Sequence, residues 1–171
     1  MTEFLSDLVS AVIGMSLFEK YFITFLISML PIIELRGAIP FAAALGLNLP
    51  LSFLICVIGN CIPVPFIVLF GRTIVNKLKQ TRVLGWFGRM MEKKVSTNKE
   101  KVLKYQKLGL MLFVGIPLPG TGAWTGSVIA SFLDLKVKNA FLPTFLGVVL
   151  AGIIMLTLSF FGIQLWESIP A

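Results

Sequence analysis

The chain contains no histidine, so it lacks the side chain that most often shuttles protons near neutral pH or ligates a metal. It has two cysteines, Cys56 and Cys61, both inside one apolar run. Five residues apart, they share no helical face, and neither a disulfide framework nor a metal site follows. Charge is scarce as well, at 13% of 171 residues, where a soluble domain carries about 25%. Acids are scarcest, with eight against 15 Lys and Arg. No nucleophile–histidine pairing, metal-ligand cluster or phosphate-binding P-loop is present, so neither an enzyme nor a cofactor is expected. The first residues carry Glu3, Asp7 and Glu19 but no early Lys or Arg, which is not the pattern of a cleavable signal peptide.

What is present is apolar. Hydrophobic residues make up 57% of the chain, and the mean hydropathy is +0.93. This composition implies an all-α integral membrane protein, organised as a single small membrane domain. The net charge of +7 is concentrated in residues 72–107, which hold 11 of the 15 Lys and Arg and only two acids, Glu92 and Glu100. A basic stretch raises the question of nucleic acid. Lying between membrane segments, this one is better explained by positive-inside topology, which makes 72–107 cytoplasmic in a multi-pass inner-membrane protein. Nucleic acid is therefore not an expected partner.

Four apolar blocks follow one another: 21–49, 51–71, 108–133 and 140–166. The second and fourth are long enough to span, since a span needs about 20 residues. The first is interrupted at P-I-I-E-L-R-G-A-I-P, residues 31–40, and the third at G-I-P-L-P-G-T-G, residues 115–122. Each has arms of roughly 10–14 residues that reach ~15–20 Å, about half the hydrocarbon core. Two half-length arms around a break suit a re-entrant hairpin, which is tolerated at membrane depth only when buried in protein or lining a wet cavity.

With 72–107 cytoplasmic, the first hairpin enters from outside and the second from the cytoplasm. That topology also places Lys136 and Lys138 inside. Hairpin plus span then occurs twice, at about 21–71 and 108–166, in opposite senses. This is an inverted repeat, an architecture common among secondary transporters. The halves match weakly: R-G-A at 36–38 against T-G-A at 121–123, and Gly59 against Gly147. An amphipathic helix is expected over 2–19, lying on the membrane or packing onto the bundle. In the central basic segment, Val75, Leu78, Val83, Trp86 and Phe87 fall broadly on one side. It either lies on the cytoplasmic leaflet or is a solvated topogenic loop.

The candidate site centres on Glu34 and Arg36, the only charges in the first block. A charge in hydrocarbon costs at least ~2.5–3.5 kcal/mol on insertion scales, so intramembrane charges mark pathways more often than not. On a continuous helix the two would point ~200° apart; in a turning tip, helped by Gly37, both can face one cavity. Arg36 presents fixed donors suited to phosphate or carboxylate. Burial and Arg36 act on the Glu34 proton in opposite directions, which poises it for exchange. The competing reading is mutual neutralisation at a bend.

Asn60, in G-N-C-I-P-V-P, either faces the same cavity or makes an interhelical hydrogen bond worth ~0.6 kcal/mol. At the second tip Thr121, Thr125 and Ser127 offer hydroxyls, and Gly122 lets backbone amides approach a ligand. A helix restarting after Gly122 favours an anion at its N-terminus. Gly122 and Gly126 also form a small-xxx-small pair, so close packing competes with binding and is preferred for Gly126. Trp124 reads as a packing residue.

E-L-R-G-A-I-P at 34–40 followed by A-A-A-L-G-L at 42–47, with G-I-P-L-P-G-T-G-A-W-T-G at 115–126, resembles the paired signatures of the bacterial and archaeal putative small multidrug export protein family. The resemblance covers roughly residues 21–162. That family is in turn similar in architecture to the DedA (VTT) superfamily. The similarity implies two oppositely oriented re-entrant hairpins, each followed by a span. It also implies the flipping of phospholipids or recycling of a phosphorylated polyprenyl carrier, with Glu34 and Arg36 as the first-tip pair. The second tip departs from the DedA pattern, because residues 115–133 contain no arginine.

These readings converge on a membrane transporter or flippase for an anionic lipid of phospholipid or polyprenyl-phosphate type, with proton coupling through Glu34 and headgroup binding by Arg36. An exporter of cationic amphiphilic drugs, a passive scramblase and a membrane assembly partner are the rivals. Expected partners are membrane lipids, the anionic lipid or amphiphile, and protons. A chain this small also suits a homodimer.

Overall fold

The first helix begins where the sequence supplies a cap. In the computed structural model, which describes residues 14–79, 99–118, 120–133 and 135–167 (side chains of 72–79, 99–104 and 163–167 excepted), Ser16 caps α1, Leu17–Met29. The Glu19 N–H donates to Ser16 Oγ at 3.4 Å, and the Glu19 carboxylate accepts from the Ser16 N–H at 2.7 Å. This reciprocal capping box satisfies two N-terminal donors. It also moves the helix start ahead of residue 21. Residues 17–19, expected to end an N-terminal amphipathic helix, instead open α1; the rest of that expected helix, up to residue 13, lies outside the described residues.

Leu30 leaves the helix in an extended conformation, as the residue before a proline prefers. After a turn at 31–33 comes α2, Glu34–Ala44. The interruption is therefore shorter than the expected 31–40, and Gly37 and Pro40 both lie within α2. Pro40 offers no N–H to the carbonyl of Arg36, so one rung of the helical ladder is absent. A buried face of Leu35, Ala38, Ile39 and Ala42 holds the helix together across that gap. Gly46 ends it in the left-handed region (φ 67°). Leu47 N–H then donates to Ala42 O and Gly46 N–H to Ala43 O, both at 3.0 Å, in a Schellman closure.

Asn48 begins the next helix, α3, Leu49–Cys61, by accepting from the Leu51 N–H at 3.0 Å. Its own N–H donates to the Tyr21 hydroxyl at 3.2 Å. The two ends of a 27-residue separation are thereby joined, with α1 and α2 packed on each other between them. The remaining helices are α4 (Pro63–Lys79), α5 (Lys99–Gly115), α6 (Ala123–Phe132) and α7 (Val137–Glu167). Among the described residues there is no strand. Val83, Trp86 and Phe87 of the central basic segment lie outside them.

Two stretches, Leu49–Gly71 and Val137–Gly162, are long and apolar enough to cross a membrane. They expose large apolar side chains, among them Ile58, Phe66, Leu69 and Phe70 in the first and Ile153, Leu158, Phe160 and Phe161 in the second. Such surfaces belong against lipid rather than water.

The chain divides into two compact units, Met1–Asn60 with Gly152–Ala171, and Cys61–Ala151. The division falls within the two long apolar stretches. In the first unit Gly59 seats α3 on α1: a Cβ there would overlap Ser28 Oγ and lie 2.9 Å from the Phe25 carbonyl oxygen. In the second, Gly147 seats α7 on α5, where a Cβ would lie 2.6 Å from the Met111 carbonyl oxygen and 2.7 Å from Val114 Cβ. The same device thus occurs in each unit, a glycine against a carbonyl and the residue three further along. The second unit also packs α6 between α4 and α5. Ser131 Oγ donates to Ser127 O at 2.9 Å and lies 3.3 Å from Val68 O on α4. Gly126 lets Val114 approach α6 to 2.5 Å from where a Cβ would stand, so close packing is what Gly126 provides.

Candidate substrate site at the first hairpin tip

Glu34 is the first residue of α2, and the only described non-glycine residue with positive φ, at 52°. Left-handed backbone costs an L-residue roughly 1–2 kcal/mol. The conformation has a direct consequence for the side chains. Residues two apart on a regular helix diverge, yet Glu34 Oε2 and Arg36 Nη1 are 3.9 Å apart. The bend at Glu34 brings the two charges together, as a turning tip was expected to do.

The Glu34 side chain is 5% exposed and that of Arg36 17%, so the cation is the more accessible partner. Between them, Leu35 is buried to 1% and anchors the tip. Its Cδ1 lies 3.7 Å from where a Gly152 Cβ would stand, beside the ring of Phe53. The amide of Glu34 donates to Leu30 O and that of Gly37 to Ile33 O, both at 3.0 Å, which ties the turn to the helix. A side chain at Gly37 would overlap Ile33 Cγ2.

Asn60 sits at the end of the part of α3 that belongs to the same unit. It is 1% exposed, and its Oδ1 has no hydrogen-bond partner among the described residues. The interhelical hydrogen bond that its amide oxygen could make is therefore not formed with any described group.

The match of one family profile begins at Glu34 itself. The profile described as "Putative small multi-drug export protein" covers residues 34–154. The chain belongs to this family. No curated protein and no solved structure matches it. The matched range contains both tips, the Glu34–Arg36 pair and the glycine-rich loop at 115–122.

The other expected site residues, Thr121, Gly122 and Thr125, belong to the second unit. There α5 ends at Gly115 and α6 restarts at Ala123, the break expected from the sequence. Gly122 precedes α6 with φ 153° and ψ −176°, backbone that only glycine adopts readily. The Thr121 hydroxyl lies 2.8 Å from Ile116 O and 2.9 Å from Leu118 O, to which it donates, and accepts from the Leu118 N–H at 3.3 Å. It is engaged in closing the loop. Thr125 is exposed on the first turn of α6, and Ser127 donates to Ala123 O within the helix. Among the described residues there is no group of His, Cys, Asp and Glu that could hold a metal ion.

Sequence reasoning missed two features that position the tip. S-x-x-E at 16–19 is a legible capping box, and Asn48 ahead of L-P is a legible N-cap. The seat formed by Leu35, Phe53 and Gly152 left no local signal, because its members are far apart in the chain.

Proposed function

We propose that this protein is a membrane transporter that moves an anionic amphiphile, of lipid class, past the Glu34–Arg36 tip. The single observation that carries the reading is a buried ion pair assembled on a strained residue. Strained backbone persists where the surroundings over-determine it, and it clusters at ligand sites and switches. In this reading residues 21–49 form a re-entrant hairpin. At ~1.5 Å per residue α1 and α2 reach about 20 and 16 Å, short of the ~30 Å hydrocarbon core. The Tyr21–Asn48 bond supports this, because it joins the two ends of the hairpin.

Hairpin and span recur at 108–166 in the opposite sense, and 72–107 faces the cytoplasm of the inner membrane. The glycine seats at Gly59 and Gly147 support the repeat. Arg36 binds the headgroup through its guanidinium fork. Glu34, parted from Arg36 by the anion, takes up a proton and releases it when the headgroup leaves. One repeat rocks against the other to expose the site to each side in turn.

The family's description favours a second reading, drug export; for a cationic drug, Glu34 is the counter-charge and Arg36 restrains it. One experiment separates the two. Protein in vesicles is assayed with fluorescent phosphatidylglycerol and with ethidium, with and without a proton gradient, as wild type, Glu34→Gln and Arg36→Gln. The lipid reading expects both variants to lose lipid movement. The drug reading expects Arg36→Gln to keep ethidium export and Glu34→Gln to lose it. Gradient-independent lipid movement in the wild type identifies a scramblase. Equal rates in all three proteins remove the site from the mechanism.

A further inference from the structure

The second unit contains a cavity of about 160 Å³ where α5 and α7 diverge at the mouth of the second hairpin. Lys107, Lys138 and Asn139 form its polar lining, and Met111, Leu142 and Leu146 lie among its apolar walls. The volume is about ten times the ~10–15 Å³ that one water requires. Its two lysines come from different helices, Lys107 from α5 and Lys138 from α7, and Lys138 and Asn139 occupy the first turn of α7, whose N-terminus carries positive partial charge. The rest of the lining is apolar, and an exposed apolar ridge continues along α7 through Leu142, Leu146 and Leu150, while Leu108 and Leu112 are exposed on α5. Pro143, also in the lining, withholds its N–H from the Asn139 carbonyl and locally loosens the helix.

A soluble anion would use the lysines and leave the ridge unexplained; an acyl chain alone would use the ridge and leave the lysines unexplained. We propose that this cavity is a binding site for an anionic phospholipid, with the phosphate between Lys107 and Lys138 and an acyl chain along the Leu142–Leu146–Leu150 ridge. Basic pockets between membrane helices select anionic headgroups by this combination. The proposal needs the chain to sit in a membrane, and it is independent of transport at the first tip.

The test uses the full chain in vesicles of phosphatidylcholine, alone or with phosphatidylglycerol, and reads lysine acetylation by a water-soluble reagent. Phosphatidylglycerol should protect Lys107 and Lys138 relative to Lys136, which is exposed and outside the cavity lining. Equal acetylation in both vesicles would overturn the proposal. In a second measurement, retention of phosphatidylglycerol over phosphatidylcholine by purified protein is compared among variants. Lys107→Gln and Lys138→Gln should each lower the preference about five-fold and together about 25–30-fold, from ~1 kcal/mol per lysine. The Lys→Arg pair should retain it, and so should Lys136→Gln. An unchanged preference in the Gln pair, or displacement of the lipid by inorganic phosphate at matched concentration, would show that no phospholipid site exists there.

Discussion

The energy that couples Glu34 to Arg36 is the quantity a bound anion must compete with, and it can be measured. At their 3.9 Å separation, two unit charges interact by about 1 kcal/mol at the dielectric of water and about 4 kcal/mol at an effective dielectric of 20. Both side chains are largely buried, Glu34 at 5% and Arg36 at 17% exposure, which places the expected coupling in the upper half of that range. The perturbation is a double-mutant cycle of Glu34→Gln, Arg36→Gln and the pair, assayed by reversible unfolding in mixed micelles.

Each single change leaves one buried charge without the other, so the double variant should be destabilised by less than the sum of the singles. The difference should be about 2.5–4 kcal/mol. Additivity to within ~0.5 kcal/mol, the behaviour of a solvent-exposed pair, would refute the claim that these charges meet in a low-dielectric tip. It would also remove the physical basis for partner exchange during transport.

The glycine seats make a second prediction. Gly59→Ala and Gly147→Ala should each cost about 1–3 kcal/mol in the same unfolding assay, as overpacking does. Gly109→Ala, with nothing within 4 Å of its Cβ, should change stability little; an equal loss at all three would show that the carbonyl contacts do not govern packing. At the second tip, Thr121→Val removes the hydroxyl that closes the loop, a loss of about 1–2 kcal/mol, which should appear as faster hydrogen exchange at the amide of residue 121, which donates to Leu118 O across the loop. Unchanged exchange there would mean that other contacts hold the loop. The Ser16 hydroxyl and then the Ser16 amide hold the exposed Glu19 carboxyl below its usual value of 4.5. A folded pKa below the unfolded one gives stability that is present above the unfolded value and lost as pH falls through the folded value. The start of α1 should therefore fray as pH drops below 4.5, and Ser16→Ala, which removes the hydroxyl but keeps the amide, should raise the Glu19 titration, followed by NMR, part of the way toward the ordinary carboxylate range.

The helices and the breaks at 30–33 and 116–122 follow from apolar length and from proline, signals that act over a few residues. Pro40 and Gly37 misled that reading, since a continuous break was expected through residue 40. A proline deletes one backbone bond, whereas the buried row of Leu35, Ala38, Ile39 and Ala42 supplies packing along the whole of α2. The pairing of Glu34 with Arg36 was legible as chemistry, because two lone charges in an apolar run have few other partners. Its geometry was not legible, because a glutamate gives no local sign of left-handed backbone. The roles of Gly59 and Gly147 lay beyond single-sequence periodicity for a different reason: each depends on which distant carbonyl the glycine meets.

The two tips solve the same backbone problem with different residues, and the difference bears on function. Each turn needs left-handed backbone. The second tip places glycine there, Gly120 at φ 81°, and the first places Glu34 at φ 52°. Glycine takes this conformation without a Cβ penalty, so a sequence optimised only for folding would favour glycine at position 34 too. The carboxylate retained there costs roughly 1–2 kcal/mol of backbone strain, a cost that a merely structural bend does not require.

Two substitutions test this contrast. In an Arg36→Gln background, which removes the ion pair to Arg36 from both variants, Glu34→Gly should be more stable than Glu34→Gln by about 1 kcal/mol after the added chain entropy of glycine is counted. Gly120→Ala should be destabilised by about 1–2 kcal/mol. If Glu34→Gly gained nothing over Glu34→Gln, the backbone at the first tip would not be strained, and the case for a function at Glu34 would rest on its charge alone. If the gain appears, and Glu34→Gly with Arg36 intact loses transport, stability has been recovered at the position where the protein gives it up, and the carboxylate is retained for what it does.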